Sequence, residues 1–426
     1  MNRAHGRRLL LAGLALILSL ALAAAALLLW CALAPQQGEV LDVVPLAADK
    51  SLGVNADLGG VDASVVDGQM RVMKGYGFHW LRYRFAWDEM EPRRGSYNWE
   101  ESDQVVEAAR RQGLSVIALL DGAPAWARAS EDRGSRFAPP VEVRDYGDWV
   151  QAFVERYGDV IDHYQIWNEP NIAPHWGSRE VDPAAYARLL REGAIRIRAG
   201  DPEAVVLAAA LAPNVEPGGA NMSDVLYLDR LYQAGAAPWF DVVAGQIYPF
   251  DLPLEHPPAA GELSWRRLEL LRQVMLDHGD DETAVWVVSW GLPRPHSMEE
   301  WEPVAEQITR AVQGARLDWP WLGPMLWAAW TRNDRPVEYA LLTGFGRGTT
   351  TGPALDALSG LAGAPPVAWP GVYPPNHASG QYEGAWHVMP LAADIGATGD
   401  RLKVIFHGTR FDLRLQRGPY RAFLYV

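Results

Sequence analysis

Eight short apolar runs, separated by amphipathic segments, occupy residues 51–363 and limit the folds available to the chain. The runs have the length of buried strands, and the segments Asp103–Gln112 and Pro183–Ala199 repeat apolar residues three and four positions apart, as helices do. Strands that alternate with helices favour a parallel sheet. Eight such units over about 310 residues predict an α/β fold, the (β/α)8 or TIM barrel. The predicted strands are Leu52–Asn55, Trp80–Phe85, Ser115–Leu120, His163–Trp167, Val205–Ala210, Asp241–Gln246, Ala284–Val288 and Pro324–Ala329.

The composition of the 426-residue chain favours a globular protein that does not bind nucleic acid. Of its residues 49% are hydrophobic and 21% are charged, and the formal net charge is −14. Nucleic acid and anionic membrane surfaces repel a chain of this sign. The 19 tryptophans are compatible with a cleft in which indole faces stack on sugar rings. The sequence shows no motif typical of metal, phosphate or nucleotide binding, so we expect no cofactor.

An apolar run at the amino terminus predicts a membrane anchor over residues 1–36. The run extends from Leu9 to Ala34 behind three arginines, and its 26 residues suffice to cross a bilayer about 30 Å thick. Arginines on its amino-terminal side predict a single-pass protein whose remaining residues lie outside the cytoplasm. Secretion after cleavage behind Ala34 is the alternative, which Pro35 disfavours. The single cysteine, Cys31, lies in the run and excludes an intrachain disulfide.

Segments of different composition flank the predicted barrel domain at residues 51–363. Residues 37–50 predict a tether, and residues 364–380, rich in Pro, Gly and Ala, predict a linker. The remaining residues, 381–426, predict a short β-rich extension with antiparallel hairpins, too small for a closed sandwich. Its predicted strands are Gln381–Leu391, Arg401–His407, Arg410–Gln416 and Tyr420–Val426.

The fourth predicted strand ends in the sequence Trp-Asn-Glu-Pro-Asn at residues 167–171. A carboxylate at the end of a buried strand is costly unless it has a partner or a task. The motif resembles that of the clan A retaining glycoside hydrolases, most closely families 39 and 5. The resemblance implies that Glu169 is the general acid/base and that Asn168 binds the sugar 2-hydroxyl. A carboxyl group in this role protonates the leaving glycosidic oxygen.

Other strand ends extend the resemblance. Arg82 matches the arginine that supports the catalytic nucleophile, although it is also compatible with pairing to a helix carboxylate. Tyr248 matches the tyrosine that hydrogen-bonds the nucleophile. Trp126, in a Pro-x-Trp loop, stacks on sugar or caps the barrel, and Trp327 matches the aromatic floor of the sugar site. Asp121 ends the third strand as a further residue of the substrate site.

The seventh strand departs from the family pattern. Residues 285–292 read Val-Trp-Val-Val-Ser-Trp-Gly-Leu, where the family has Thr-Glu-x-Gly, so Ser289 stands at the position of the nucleophilic glutamate. Retaining hydrolysis needs two carboxylates about 5–5.5 Å apart. A serine without a base is a poor nucleophile and does not stabilise an oxocarbenium charge. With that carboxylate gone, we expect Glu169 to be more acidic than in an active relative and to pair with Arg82.

Two functions follow from this departure. The first is an extracytoplasmic pseudoenzyme of the glycoside hydrolase family that binds β-linked oligo- or polysaccharide with weak or no hydrolysis. The alternative is an active O-glycosyl hydrolase in which another carboxylate, Asp251, Glu255 or Asp121, replaces the missing one. In the alternative, an inverting reaction requires a base about 6.5–9.5 Å from Glu169.

Overall fold

The structure is a computed structural model, and most of what it describes is one barrel with its helices. The described residues are 44–248, 252–292, 301–331, 334, 337–342, 344, 353–362, 375, 380–388, 393–394, 397–406 and 410–413. The predicted anchor, residues 1–36, most of the predicted linker and the predicted strand Tyr420–Val426 lie outside these ranges.

Eight parallel strands form a closed barrel in which each strand pairs with its neighbours in chain order and the last pairs with the first. This confirms the predicted (β/α)8 architecture. Seven of the eight predicted runs differ from the observed strands by one to three residues at an end. The fifth strand ends three residues earlier than predicted, and the eighth begins two residues earlier and ends at Trp327. The strands are β1 Leu52–Asn55, β2 Trp80–Ala86, β3 Ser115–Asp121, β4 His163–Ile166, β5 Val205–Leu207, β6 Val242–Ile247, β7 Ala284–Trp290 and β8 Leu322–Trp327.

Helices follow the strands and pack their apolar faces on the outside of the barrel. The helix Pro183–Gly200 begins after Asp182, whose side chain accepts hydrogen bonds from the backbone N–H groups of Ala184 and Ala185. Pro183 occupies the first helical position, where its missing N–H has no cost. The helices are α1 Ala63–Gly75, α2 Trp87–Met90, α3 Glu100–Gln112, α4 Val143–Tyr157, α5 Pro183–Gly200, α6 Asp224–Gln233, α7 Leu268–Asp277, α8 Trp301–Asp318 and α9 Pro353–Ala362.

Large side chains fill the barrel interior at its amino-terminal end. The Trp80 and Trp286 rings meet edge to face at 5.1 Å, and His163 packs against both of them. Burial lowers the pKa of His163 to about 4, so this imidazole is neutral in the core. Residues 44–47 close this end, where Trp286 Nε1 donates to the Leu46 carbonyl at 2.7 Å. The polar residues of the barrel therefore gather at its opposite, carboxyl-terminal end.

Short strand pairs follow the barrel. Ala329–Thr331 (β9) pairs with Ala340–Leu342 (β10), Gly380–Glu383 (β11) pairs antiparallel with Arg401–Val404 (β14), and His387–Val388 (β12) pairs with Ala393–Asp394 (β13). The predicted strand Arg410–Gln416 is wrong over its described part, because residues 410–413 have no strand partner. Phe411 packs on Phe406 instead, with ring centroids 5.5 Å apart.

A membrane-spanning helix is not found among the described residues, where every helix is too short or too polar for that role. The predicted anchor falls on residues that the structure does not describe, so it stays a prediction.

A glycine in β1 sets how closely the first two strands approach. A Cβ atom at Gly53 would lie 2.6 Å from the Trp80 carbonyl oxygen, which cannot move without displacing β2. We expect Gly53→Ala to destabilise the fold by about 1–3 kcal/mol, because backbone must shift. Chemical denaturation measures this change. Gly68→Ala, in the middle of α1 with no heavy atom within 4 Å of its new methyl group, is the control and should stabilise by about 0.5–1 kcal/mol. Equal effects at the two positions would contradict this packing.

Candidate functional site

Polar side chains from five strand ends meet at the carboxyl-terminal mouth of the barrel. Five of the residues predicted for the site are joined there by hydrogen bonds or by shared partners: Arg82, Asn168, Glu169, Tyr248 and Ser289. Barrel enzymes place their catalytic groups at this end of the strands. The structure therefore brings these five predicted residues together, and their contacts are described next.

The loop that carries Glu169 has a strained backbone. Trp167 and Glu169 both have positive φ angles, 67° and 51°, which non-glycine residues rarely adopt. Such conformations cost about 1–3 kcal/mol each and persist only where the surroundings impose them. Here the Glu169 N–H donates to the Ala210 carbonyl at 2.9 Å, and the buried Asn171 side chain bonds both the N–H and the carbonyl of Ala212. The apolar run after β5 thus anchors the loop and aims Glu169 into the mouth.

Both carboxylate oxygens of Glu169 have polar neighbours. Gln246 Nε2 donates to Oε1 at 2.8 Å, and His175 Nδ1 lies 3.1 Å from Oε2. The His175 ring stacks on Phe137 with 4.8 Å between centroids and 9° between planes. The predicted pairing of Glu169 with Arg82 is wrong, because a glutamine and a histidine occupy the two oxygens. Glu169 keeps about a fifth of its side chain exposed, so it faces a ligand directly.

Arg82 is held by neutral amides. Its Nε, Nη1 and Nη2 atoms donate to the side-chain oxygens of Gln165, Asn55 and Asn168, each at 2.8 Å. Among the described residues, no carboxylate oxygen lies within 4.0 Å of the guanidinium. Burial lowers the pKa of Arg82 to about 10, against the attraction of Asp121, Glu169 and Tyr248. The alternative prediction, a helix carboxylate paired with Arg82, is therefore wrong for the described residues.

A β-bulge turns Ser289 into the mouth. Gly245 of β6 pairs with Val287, but the next residue, Gln246, pairs with Ser289, so β7 contains one extra residue at Val288. A bulge breaks the alternation of side chains, and bulges beside active sites re-aim side chains in this way. Val288 faces the barrel interior, and Ser289 next to it also faces inward, where its Oγ lies 2.8 Å from the Tyr248 hydroxyl. Ser289 therefore lies beside Tyr248 in the mouth of the barrel.

Tyr248 is a hydroxyl donor in this site. Burial raises its pKa, so the phenol remains protonated at neutral pH. Besides Ser289, the Tyr248 hydroxyl contacts Gln246 Oε1 at 3.4 Å. Because Gln246 also bonds Glu169, a chain of hydrogen bonds connects Ser289 to Glu169. The Tyr248 ring lies 5.1 Å from that of Tyr339, and the Tyr339 ring packs against the backbone of Gly291 at the end of β7.

The carboxylates considered as replacements for the missing one have other partners. Asp121 is buried, and its Oδ1 accepts a hydrogen bond from Arg84 Nε at 2.5 Å. Glu255 is exposed and pairs with Arg310 on α8. Asp251 lies outside the described residues. Within the described part of the chain, neither Ser289 nor Tyr248 is hydrogen-bonded to an aspartate or glutamate.

The predicted sugar-stacking tryptophans have little free ring surface. Trp327 is only 2% exposed, donates through Nε1 to the Tyr339 carbonyl and packs edge to face on Trp290, so it belongs to the core rather than to a sugar-facing floor. Trp126 meets Trp87 edge to face at 5.5 Å, and the Arg94 guanidinium lies 4.5 Å from its ring centroid. Of its two predicted roles, these contacts favour capping of the barrel.

Several members of the site were not predicted from the sequence. Gln246 lies two residues before Tyr248 and therefore on the same face of its strand, and Gln165 is a fully buried amide inside an apolar strand. Both features were visible signals. Asn55 at the end of β1 was equally visible as a polar strand end. By contrast, nothing in the local sequence of His175 indicates a contact with Glu169, because the path of its loop decides it.

Asp334 is a buried carboxylate between β9 and β10. It accepts hydrogen bonds from the backbone N–H groups of Asp57 and Thr331, at 2.8 and 2.7 Å. Burial raises the pKa of Asp334 to about 6. It joins the loop after β1 to the end of β9. In the described part of the chain, no group of three or more His, Cys, Asp or Glu residues is arranged to hold a metal ion.

Comparisons with known proteins agree with this fold. Residues 60–129 match a family model described as beta-galactosidase, glycoside hydrolase family 42, and this segment includes Arg82, Asp121 and Trp126. No curated protein sequence matches the chain. Solved structures with the same fold include a family 39 glycoside hydrolase from the gut symbiont Bacteroides cellulosilyticus WH2. It is 20% identical with a TM-score of 0.57, and the match covers 74% of this chain and 63% of that one.

Two further structures are similar to this chain. A monomeric beta-xylosidase from Caulobacter crescentus CB15 is 18% identical, with a TM-score of 0.52 and coverage of 74% of this chain and 68% of that one. The exo-beta-1,4-mannosidase Op5Man5 from Opitutaceae bacterium strain TAV5 is 18% identical, with a TM-score of 0.51 and coverage of 75% and 61%. The chain therefore has the same barrel fold as these glycoside hydrolases, and the matched segment supports the resemblance predicted from its motifs.

Asn171 supports the strained loop, and its removal tests that role. We expect Asn171→Ala to destabilise the protein by about 1–3 kcal/mol, because the buried Ala212 N–H loses its acceptor. The free energy of unfolding in urea measures the change. Asn214→Ala is the matched control, because Asn214 donates to the same two carbonyls as Asn171, those of Ala212 and Met222. Asn214 differs in that it is only half-buried and accepts a hydrogen bond from an exposed N–H. An equal loss in both variants would contradict the assigned role.

Proposed function

We propose that this protein binds β-linked carbohydrate in the mouth of its barrel and does not hydrolyse it by the two-carboxylate retaining route. The observation that carries the proposal is the 2.8 Å contact between Tyr248 and Ser289. Retaining hydrolysis needs a carboxylate at that place to attack the anomeric carbon. A serine hydroxyl whose neighbour is a protonated phenol has no base to activate it.

The part of the site that remains suits binding and proton donation. Glu169 and Asn168 keep the positions that the family resemblance assigns to the acid/base and to the ligand of the 2-hydroxyl. Asn168 Oδ1 is fixed by Arg82, and Glu169 by Gln246 and His175. These fixed amides and carboxylate offer a set of donors and acceptors that suits sugar hydroxyls. The beta-xylosidase and the exo-beta-1,4-mannosidase with similar barrels support a β-linked ligand.

Activity by another carboxylate is the alternative, and the described contacts do not favour it. Asp121 and Glu255 are each paired with an arginine. The location of the barrel outside the cytoplasm, on a single-pass anchor, remains our proposal from the sequence of residues 1–36.

Restoring the second carboxylate tests the proposed function. We expect the wild-type protein to release no aryl group from 4-nitrophenyl β-xyloside, β-mannoside or β-glucoside above the uncatalysed rate. Ser289→Glu places a nucleophilic carboxylate beside Tyr248 and should raise turnover of at least one substrate to about 10²-fold or more above the uncatalysed rate, because the retaining route then has its attacking group. Absorbance of released nitrophenolate measures the rates.

The control for that experiment is Ser289→Gln, which introduces a side chain of nearly the same size as in Ser289→Glu but without a charge. This variant should remain inactive. Wild-type turnover that Glu169→Gln abolishes would contradict the proposal, because it would show that a complete catalytic pair is already present.

A further inference from the structure

Arg82 carries a partly buried positive charge, and no carboxylate among the described residues is hydrogen-bonded to it. Its three hydrogen-bond partners are the neutral side chains of Asn55, Gln165 and Asn168. The other charged groups nearby have partners of their own: Asp121 is bonded to Arg84, and Glu169 contacts Gln246 and His175. A buried charge is costly unless it is paired, so an arginine in this state favours an anion from outside.

The amides around Arg82 are fixed with their oxygen atoms toward it. Asn55 Nδ2 donates to the carbonyls of Val288 and Trp327, and Gln165 Nε2 donates to the carbonyl of Trp167. Neither amide can turn over without losing these bonds. An arginine has five N–H donors, and three are used here, which leaves two for a ligand. The guanidinium is therefore preorganised to donate to an anion.

Ser289 provides the space for that anion. A serine side chain is smaller than the glutamate that the family motif places at this position, and the bulge in β7 directs Ser289 inward. Its hydroxyl and that of Tyr248 lie together at 2.8 Å, and burial keeps Tyr248 protonated. Asn55, which accepts a hydrogen bond from the Arg82 guanidinium, also donates to the carbonyl of Val288 next to Ser289, so the positive charge lies near these two hydroxyls.

The position of this space relative to the sugar identifies the ligand. In a retaining hydrolase the second carboxylate lies against the anomeric carbon. A ligand that fills the space must then carry its own carboxylate at that carbon. We propose that the site binds an aldonic acid, a sugar oxidised at C1, with its carboxylate between Arg82, Tyr248 and Ser289. This inference rests on the proposed function, because it takes the sugar-binding mouth as given and names the sugar class.

Matched sugars test the assignment by isothermal titration calorimetry on the full-length protein in 50 mM NaCl. The probes are gluconate, with a carboxylate at C1; glucuronate, with one at C6; glucose, with none; and acetate, the free anion. Xylonate and xylose repeat the comparison in the pentose series. We expect at least one aldonate to bind ten-fold or more tightly than its parent sugar, and gluconate to bind more tightly than glucuronate.

Substitutions at residue 289 separate charge from fold. Ser289→Glu returns an anion to the space, and two adjacent carboxylates repel each other, so the preference for aldonate should fall below three-fold. Ser289→Ala removes one of the three proposed contacts but adds no charge, so the preference should fall by less than in Ser289→Glu. Glucose or xylose binding in Ser289→Glu shows that the variant still forms its cleft.

The possible results lead to distinct conclusions. Three results would each overturn the inference. They are no aldonate binding in either series, equal affinity of aldonate and parent sugar, and an unchanged preference in Ser289→Glu. Acetate that binds more tightly than either aldonate would assign the space to a free anion and also overturn it. If neutral sugars bind as well as aldonates, the inference fails but the proposed function still holds. If the wild-type protein hydrolyses aryl glycosides, that result contradicts the proposed function alone.

Discussion

The arrangement at the barrel mouth depends on how the chain stabilises one buried guanidinium. Arg82 is surrounded by three amide oxygens from β1, β4 and the loop after β4, and two of those amides are held in turn by backbone carbonyls of β7, β8 and the loop after β4. Amide oxygens solvate a cation without neutralising it. The network therefore ties β1, β2, β4, β7 and β8 together while a positive charge remains in the mouth.

Two local distortions of the backbone serve the same network. The bulge in β7 brings Ser289 to Tyr248, and the left-handed residues Trp167 and Glu169 bring the acid toward Gln246 and His175. Regular strands would place these side chains elsewhere, because alternation would turn Ser289 outward. These distortions thus bring Glu169, Tyr248 and Ser289 together at the mouth of the barrel.

The sequence predicted the barrel and the centre of the site because both depend on local patterns. Each β-strand is a buried apolar run, and Glu169, Arg82, Tyr248 and Ser289 follow or end such runs in recognisable motifs. The partner of Glu169 was mispredicted, since charge alone suggested Arg82, while the fold supplies a histidine from a distant part of the loop. Trp327 was misplaced because a motif does not show that Tyr339 covers the ring. Contacts between loops depend on chain paths that local patterns do not encode.

The central claim is that no carboxylate of this chain attacks an anomeric carbon. The most direct test is incubation with 2-deoxy-2-fluoro β-glycosyl fluorides, which trap the attacking residue as a stable ester. Intact-mass spectrometry and peptide mapping then show whether an ester has formed and on which residue. The account predicts that the wild-type protein stays unlabelled, whereas Ser289→Glu gains one glycosyl group on the introduced carboxylate. One glycosyl group on any aspartate or glutamate of the wild-type chain would contradict it.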